Sequence, residues 1–203
     1  KLEAKYVQSK RENAPLAVVL HPHPEYGGTM NNKVIYHAYH TFLKNGFSVC
    51  RFNFRGVGKS EGKFDNGLGE LSDAAAALDF IQRNNANSNE SWVVGFSFGA
   101  LISMQLLMRR PEIFRFISIS PQPNIFDFNF LAPCPTSGLV VHGDQDQLVP
   151  KDTMLILKEK LVSQKNITVD FNEIKGANHF FTGKEKDLVD CIDGYIKKES
   201  RLF

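Results

Sequence analysis

Short apolar runs alternate with longer amphipathic ones along almost the whole chain. Residues 17–21, 47–54, 92–95, 115–120, 138–142 and 167–174 are brief and rich in Val, Ile and Phe, as strands buried on both faces should be. Between them, 32–44, 70–83, 100–109, 153–163 and 186–198 carry apolar residues at helical spacing. This alternation predicts an α/β fold, a mostly parallel sheet with helices on both faces. Such a sheet gathers functional groups in the loops at its strands' carboxyl ends. A length of 203 residues fits a single domain over 1–203 with a substantial core. The chain begins at Lys1 without a methionine, which leaves room for a removed leader or an incomplete first strand.

Composition narrows the classes. Charged residues make up 23% and hydrophobic ones 42%, with a net charge of +2, so nothing points to a nucleic-acid partner. Cys50, Cys134 and Cys191 are odd in number and widely spaced; they suggest neither a disulfide framework nor a zinc site, and a cytoplasmic location is the default. No apolar run approaches the roughly 18 residues of a membrane span, so no membrane partner is expected.

The stretch FRGVGKS at 54–60 spells the tail of a phosphate-binding P-loop. The full motif needs a glycine at position 53, because backbone N–H groups must close on phosphate oxygens. Asn53 stands there, and the glycine-rich continuation EGKFDNGLGE cannot open a helix promptly. The more informative stretch is WVVGFSFGALISMQLL, residues 92–107. A short strand runs through Gly95-Phe-Ser97-Phe-Gly99 into an apolar helix, the setting of the G-x-S-x-G nucleophile elbow. A serine hydroxyl needs a base to take its proton and a carboxylate to orient that base. Both follow in chain order. Asp144 and Asp146 lie just after the strand SGLVV, and His179 lies in the loop IKGANHFF. His37 and His40 fall in a helix pattern and His142 at a strand end, so His179 is the candidate base.

With the loop HPHPEYGGTMNNK at 21–33, these features make the chain similar to small bacterial α/β-hydrolases of the dienelactone-hydrolase-like group. The resemblance covers nearly the whole chain. It implies that Arg55-Gly-Val-Gly-Lys-Ser60 is a hydrolase loop beside the active site, and that the acid of a G-x-x-D-x-x-V-P segment is Asp146, with Asp144 as the fallback. Dienelactone hydrolase itself uses cysteine at the elbow. Ser97 therefore carries over neither its thiolate chemistry nor its substrate. Lid-bearing relatives insert helices after the 115–120 strand; here PQPNIFDFNFLAPCPTSG leaves no room for a cap domain.

The expected function is a serine hydrolase cleaving small-molecule carboxylic esters with Ser97, Asp146 and His179, without metal or organic cofactor. Thioesterase or peptidase activity would use the same groups, a non-catalytic binding protein of this fold is the alternative class, and a homo-oligomer stays open. The oxyanion donors are expected to be the backbone N–H groups of Phe98 and, since Pro22 and Pro24 have none, of His23. Tyr26, Phe126, Phe128 and Phe130 are the candidate pocket residues.

Overall fold

The computed structural model describes residues 1–200. Among them, β1 (Ala4–Val7), β2 (Leu16–Leu20), β3 (Ser48–Phe52), β4 (Ser91–Phe96), β5 (Ile113–Ile119), β6 (Gly138–Gly143) and β7 (Val169–Ile174) form one sheet in the order β1-β3-β2-β4-β5-β6-β7. All neighbours are parallel except β1, which runs antiparallel to β3. The helices are α1 (Lys33–Lys44), α2 (Leu68–Arg83), α3 (Phe98–Leu107), α4 (Lys151–Val162) and α5 (Glu185–Glu199). The order steps outward from β2 to β3 and then jumps back across β2 to β4. That reversal opens a crevice at the carboxyl ends of the central strands.

Central strands are apolar on both faces because both faces are covered. Val18, Val93 and Val140 pack with residues of α2, α3 and α4 on one side, and Ala17, Val94 and Val141 with α1 and α5 on the other. β1 has no counterpart in the hydrophobic pattern of the sequence. AKYV is mostly exposed at the sheet's edge, where only one neighbour constrains the pattern, so it shows no clean alternation. Several boundaries also differ from the pattern. Helix α3 starts at Phe98 rather than 100, because Ser97 itself is its N-cap. Helix α2 starts at Leu68, with Gly67 at φ +96° and its N–H held by the Glu70 carboxylate at 2.7 Å.

The 54–60 loop has none of a P-loop's mechanics. The next helix begins only at Leu68, and the Lys59 N–H donates to the Glu3 carboxylate at 2.8 Å. Asn53, in the place of the missing glycine, accepts from the Met30 N–H and donates to Glu3, both at 2.8 Å. Arg55 forms a fork with Asp73, 3.1 Å from Nε and 2.9 Å from Nη2. These bonds fasten the loop to Glu3, just before β1, and to α2.

Gly95 and Gly99 fix how closely β4, β2 and α3 approach. A Cβ on Gly95 would lie 2.1 Å from the Gly99 carbonyl oxygen, and one on Gly99 would lie 2.3 Å from the Leu20 oxygen. Backbone cannot yield as a side-chain tip can. Gly99→Ala should therefore lose about 1–3 kcal/mol or more, the range of overpacked cores, read as a lower midpoint in urea unfolding. An unchanged midpoint would show that the crossing has slack.

Candidate active site

Ser97 has φ +57° and ψ −115°, a conformation that costs a non-glycine residue of order 1–3 kcal/mol. It is held by its neighbours. The Ser97 N–H donates to the Ile119 carbonyl at 2.9 Å, and the Ala100 N–H returns to the Ser97 carbonyl at 2.9 Å. The tight turn sets Oγ beside the loops that follow β5, β6 and β7.

Three side chains from three strand ends then fall into line. Ser97 Oγ lies 3.1 Å from His179 Nε2, and His179 Nδ1 lies 2.7 Å from Asp146 Oδ2. Both members of the His–Asp pair are buried. The other carboxylate oxygen of Asp146 accepts from the N–H groups of Leu148, at 2.8 Å, and Val149, at 3.1 Å. These bonds fix the carboxylate, and a fixed carboxylate fixes the imidazole with its proton on Nδ1 and a lone pair facing Ser97. Asp144 points elsewhere: its Oδ1 accepts from the Gly176 N–H at 2.6 Å. His142 is in β6 and lies 3.4 Å from Glu173, while His37 and His40 are on α1. The chain of hydrogen bonds can move a proton from Oγ to Nε2 and make Oγ a nucleophile.

On the other side of Ser97 is the loop after β2. The His23 ring nitrogen Nδ1 accepts from the Glu25 N–H at 3.2 Å, and the His23 carbonyl accepts from Tyr26 and Gly28. Its own N–H is not used in these bonds. Neither is that of Phe98, which opens α3 and so has no partner within the helix. His21 clamps this loop. The ring is fully buried, with Nδ1 2.6 Å from the Pro22 carbonyl and Nε2 accepting from the Phe54 N–H at 3.0 Å. Burial pushes its pKa down to about 4, although the Pro22 carbonyl works in the opposite direction.

A cavity of about 310 Å³ lies against Ser97 and His179. Of the expected lining residues, Tyr26 and Phe126 are there, with Ile125, Leu148 and Phe180 besides. Phe128 and Phe130 are not. A short 3-10 turn at Asn129–Leu131 breaks the alternation of that segment, so Phe128 is buried in the core and Phe130 packs against it. The 55–60 loop does not line the cavity either; its influence passes through Phe54, which contacts His21 and Phe98. Sequence reasoning missed Gln122, whose Oε1 accepts from Ser97 Oγ at 2.9 Å. Its signal was SPQPN directly after β5, a proline-flanked polar residue at a strand's carboxyl end. Among the described residues, no cluster of His, Cys, Asp or Glu is arranged to hold a metal ion.

Comparison with known proteins agrees with this architecture. The model of a family described as X-Pro dipeptidyl-peptidase (S15 family) matches residues 1–129, which include the β2 loop and the elbow. A curated uncharacterised protein of Rickettsia prowazekii is 50% identical over 200 residues, covering 97% of this chain and 84% of that one. A protein of unknown function from Agrobacterium tumefaciens, a candidate α/β hydrolase, is 53% identical with a TM-score of 0.94 over 97% of this chain and 90% of its own. An α/β serine hydrolase without a lid from Xanthomonas campestris is 31% identical with a TM-score of 0.85, over 97% and 88%.

The clamp at His21 generates a pH prediction. Its folded pKa is depressed below the ordinary 6.5, so the unfolded chain takes up the proton first as pH falls. Its contribution is complete above pH ~6.5 and is lost between there and pH ~4, reaching about 3 kcal/mol. Thermal melts of wild type and His21→Gln should differ in their acid slope across that window and run parallel above pH 7. Identical slopes would mean that His21 accepts a proton without disturbing the loop.

Proposed function

The chain belongs to the S15 family of α/β serine hydrolases, and on that premise we propose that it hydrolyses uncharged carboxylic esters through an acyl-enzyme on Ser97. The observation that carries the reading is the unbroken line from Ser97 Oγ through His179 to Asp146, starting at a strained residue that is costly to keep. His179 Nε2 takes the hydroxyl proton while Oγ bonds to the ester carbon and the carbonyl π pair moves to oxygen. The oxyanion is received by the Phe98 and His23 N–H groups, with the positive end of α3 behind them. His179 returns the proton to the leaving alkoxide, and a water that it activates next releases the acid. In that second half the water gives its proton to His179, which returns it to Ser97 Oγ as the acyl–Oγ bond breaks.

Ester is favoured over peptide by the cavity. A dipeptidyl-peptidase must hold the free ammonium of its substrate's first residue, and among the described residues no Asp or Glu lines the space beside Ser97. The lining is neutral, and Tyr26, Ile125, Leu148 and Phe180 expose apolar surface at the mouth. That suits an acyl group of modest size whose far end rests on the rim. Free thiols at Cys50, Cys134 and Cys191 suit a reducing compartment such as the cytoplasm.

Substrate class is tested by comparing p-nitrophenyl butanoate and hexanoate with Ala-Pro p-nitroanilide. The esters should be hydrolysed at least ~100-fold faster in kcat/KM, a preference of roughly 3 kcal/mol. Comparable cleavage of the anilide would assign the chain to peptide hydrolysis.

Asp146→Asn should lower kcat by about 10⁴, because the imidazole would then rest in the wrong tautomer. Asp144→Asn should stay within several-fold of wild type. The reverse ranking would move the acid to Asp144.

The oxyanion loop is tested by removing one N–H. His23 has φ −52°, within reach of proline's fixed angle, so His23→Pro deletes the donor at a φ that proline adopts. It should lose ~10²–10³ in kcat, whereas His23→Ala keeps most activity. Wild-type turnover in a folded His23→Pro would place the second donor elsewhere.

A further inference from the structure

Ser97 Oγ has two polar neighbours where the reaction outlined above uses one. It donates to Gln122 Oε1 at 2.9 Å and lies 3.1 Å from His179 Nε2. A hydroxyl carries one proton. Both neighbours are acceptors: Oε1 is a carbonyl oxygen, and Nε2 presents a lone pair because Nδ1 donates to Asp146. The two compete for the same hydrogen. While it points to Gln122, the base has nothing to take.

The competitor is firmly mounted. Pro121 and Pro123 flank Gln122 and restrict the backbone on either side. The Gln122 carbonyl accepts from the N–H groups of Ile125, at 3.1 Å, and Phe126, at 3.0 Å. Just before it, Ser120 at φ +43° turns the chain off the end of β5. The strand order β2-β4-β5 sets Gln122 across Ser97 from the His23 loop. Its side chain lines the same cavity as Ser97 and His179.

We propose that Gln122 is a catalytic residue that holds the Ser97 proton in the free enzyme and surrenders it to His179 when substrate enters the cavity. The inference rests on the hydrolase reading given above. An ester seated against Ser97 must occupy space that Gln122 lines, and the terminal torsion of a glutamine carboxamide turns easily. With the carboxamide displaced, His179 is the remaining acceptor. The O–H bond then breaks toward Nε2 as the Oγ–C bond forms and the carbonyl pair moves to oxygen. Without substrate the hydroxyl is held back, so a chance electrophile meets a weaker nucleophile than the triad alone would present.

The test is the second-order rate at which a small fluorophosphonate phosphonylates Ser97, followed by intact-mass spectrometry. Phosphonylation forms Oγ–P, expels fluoride and passes the proton to His179. Gln122→Met keeps the length of the side chain but removes the acceptor, and should react about fivefold faster than wild type, the equivalent of one ordinary hydrogen bond. Gln122→Asn withdraws the carboxamide by one methylene and should also accelerate, which keeps the test decisive if the Met variant folds poorly. Gln122→Glu places a stronger, charged acceptor on the proton and should slow labelling by at least tenfold at pH 7. If folded Met and Asn variants label no faster than wild type, Gln122 does not restrain the nucleophile and the proposal fails. If wild type neither labels nor hydrolyses any ester, the hydrolase reading fails and takes this inference with it.

Discussion

The close crossing of β4, β2 and α3 is the constraint on which the rest of the site depends. Strand and helix can meet this tightly only because Gly95 and Gly99 have no side chains, with carbonyl oxygens standing 2.1–2.3 Å from where their Cβ atoms would be. The turn between them forces Ser97 to positive φ. That conformation is unfavourable in isolation and persists because the flanking strand and helix leave the residue no alternative. The cost is local, and the result is a hydroxyl lifted clear of the backbone. At the same point, the first turn of α3 presents an unpaired N–H and a positive dipole end toward the space where charge would develop.

Around this fixed point the remaining groups come from separate strand ends, so their mutual placement is set by the sheet. His179 follows β7, Asp146 follows β6, Gln122 follows β5 and His23 follows β2. Each is held by a second set of bonds that does no chemistry itself. Two backbone N–H groups hold Asp146, Ser120 Oγ donates to the His179 carbonyl at 3.3 Å, and His21 ties the β2 loop to Phe54. A parallel sheet suits this arrangement because its carboxyl ends converge while its interior stays apolar and rigid.

What could be read from the sequence followed from how local each signal was. The elbow was legible because its requirements fall within five residues, and the buried strands because both their faces are apolar. His179 stood out by chain order and by elimination of histidines inside elements. Asp146 did not separate from Asp144 on residue type or spacing, since both follow β6; the resemblance favoured it, and the structure pairs it with His179. Strand β1 escaped notice because an exposed edge imposes little pattern. The Gln122–Ser97 contact joins loops after two different strands and leaves no mark on either alone. Phe128 and Phe130 were misread for the same reason: which way a loop phenylalanine faces depends on a 3-10 turn that composition does not reveal.

The central claim is that Ser97 alone among the chain's serines is an activated nucleophile. The most direct measurement is covalent modification by a fluorophosphonate probe, with the modified residue located by peptide mass spectrometry. The account predicts a single adduct on the peptide carrying Ser97, absent from Ser97→Ala and strongly reduced in His179→Ala. Labelling at another serine, or labelling that persists in Ser97→Ala, would contradict it.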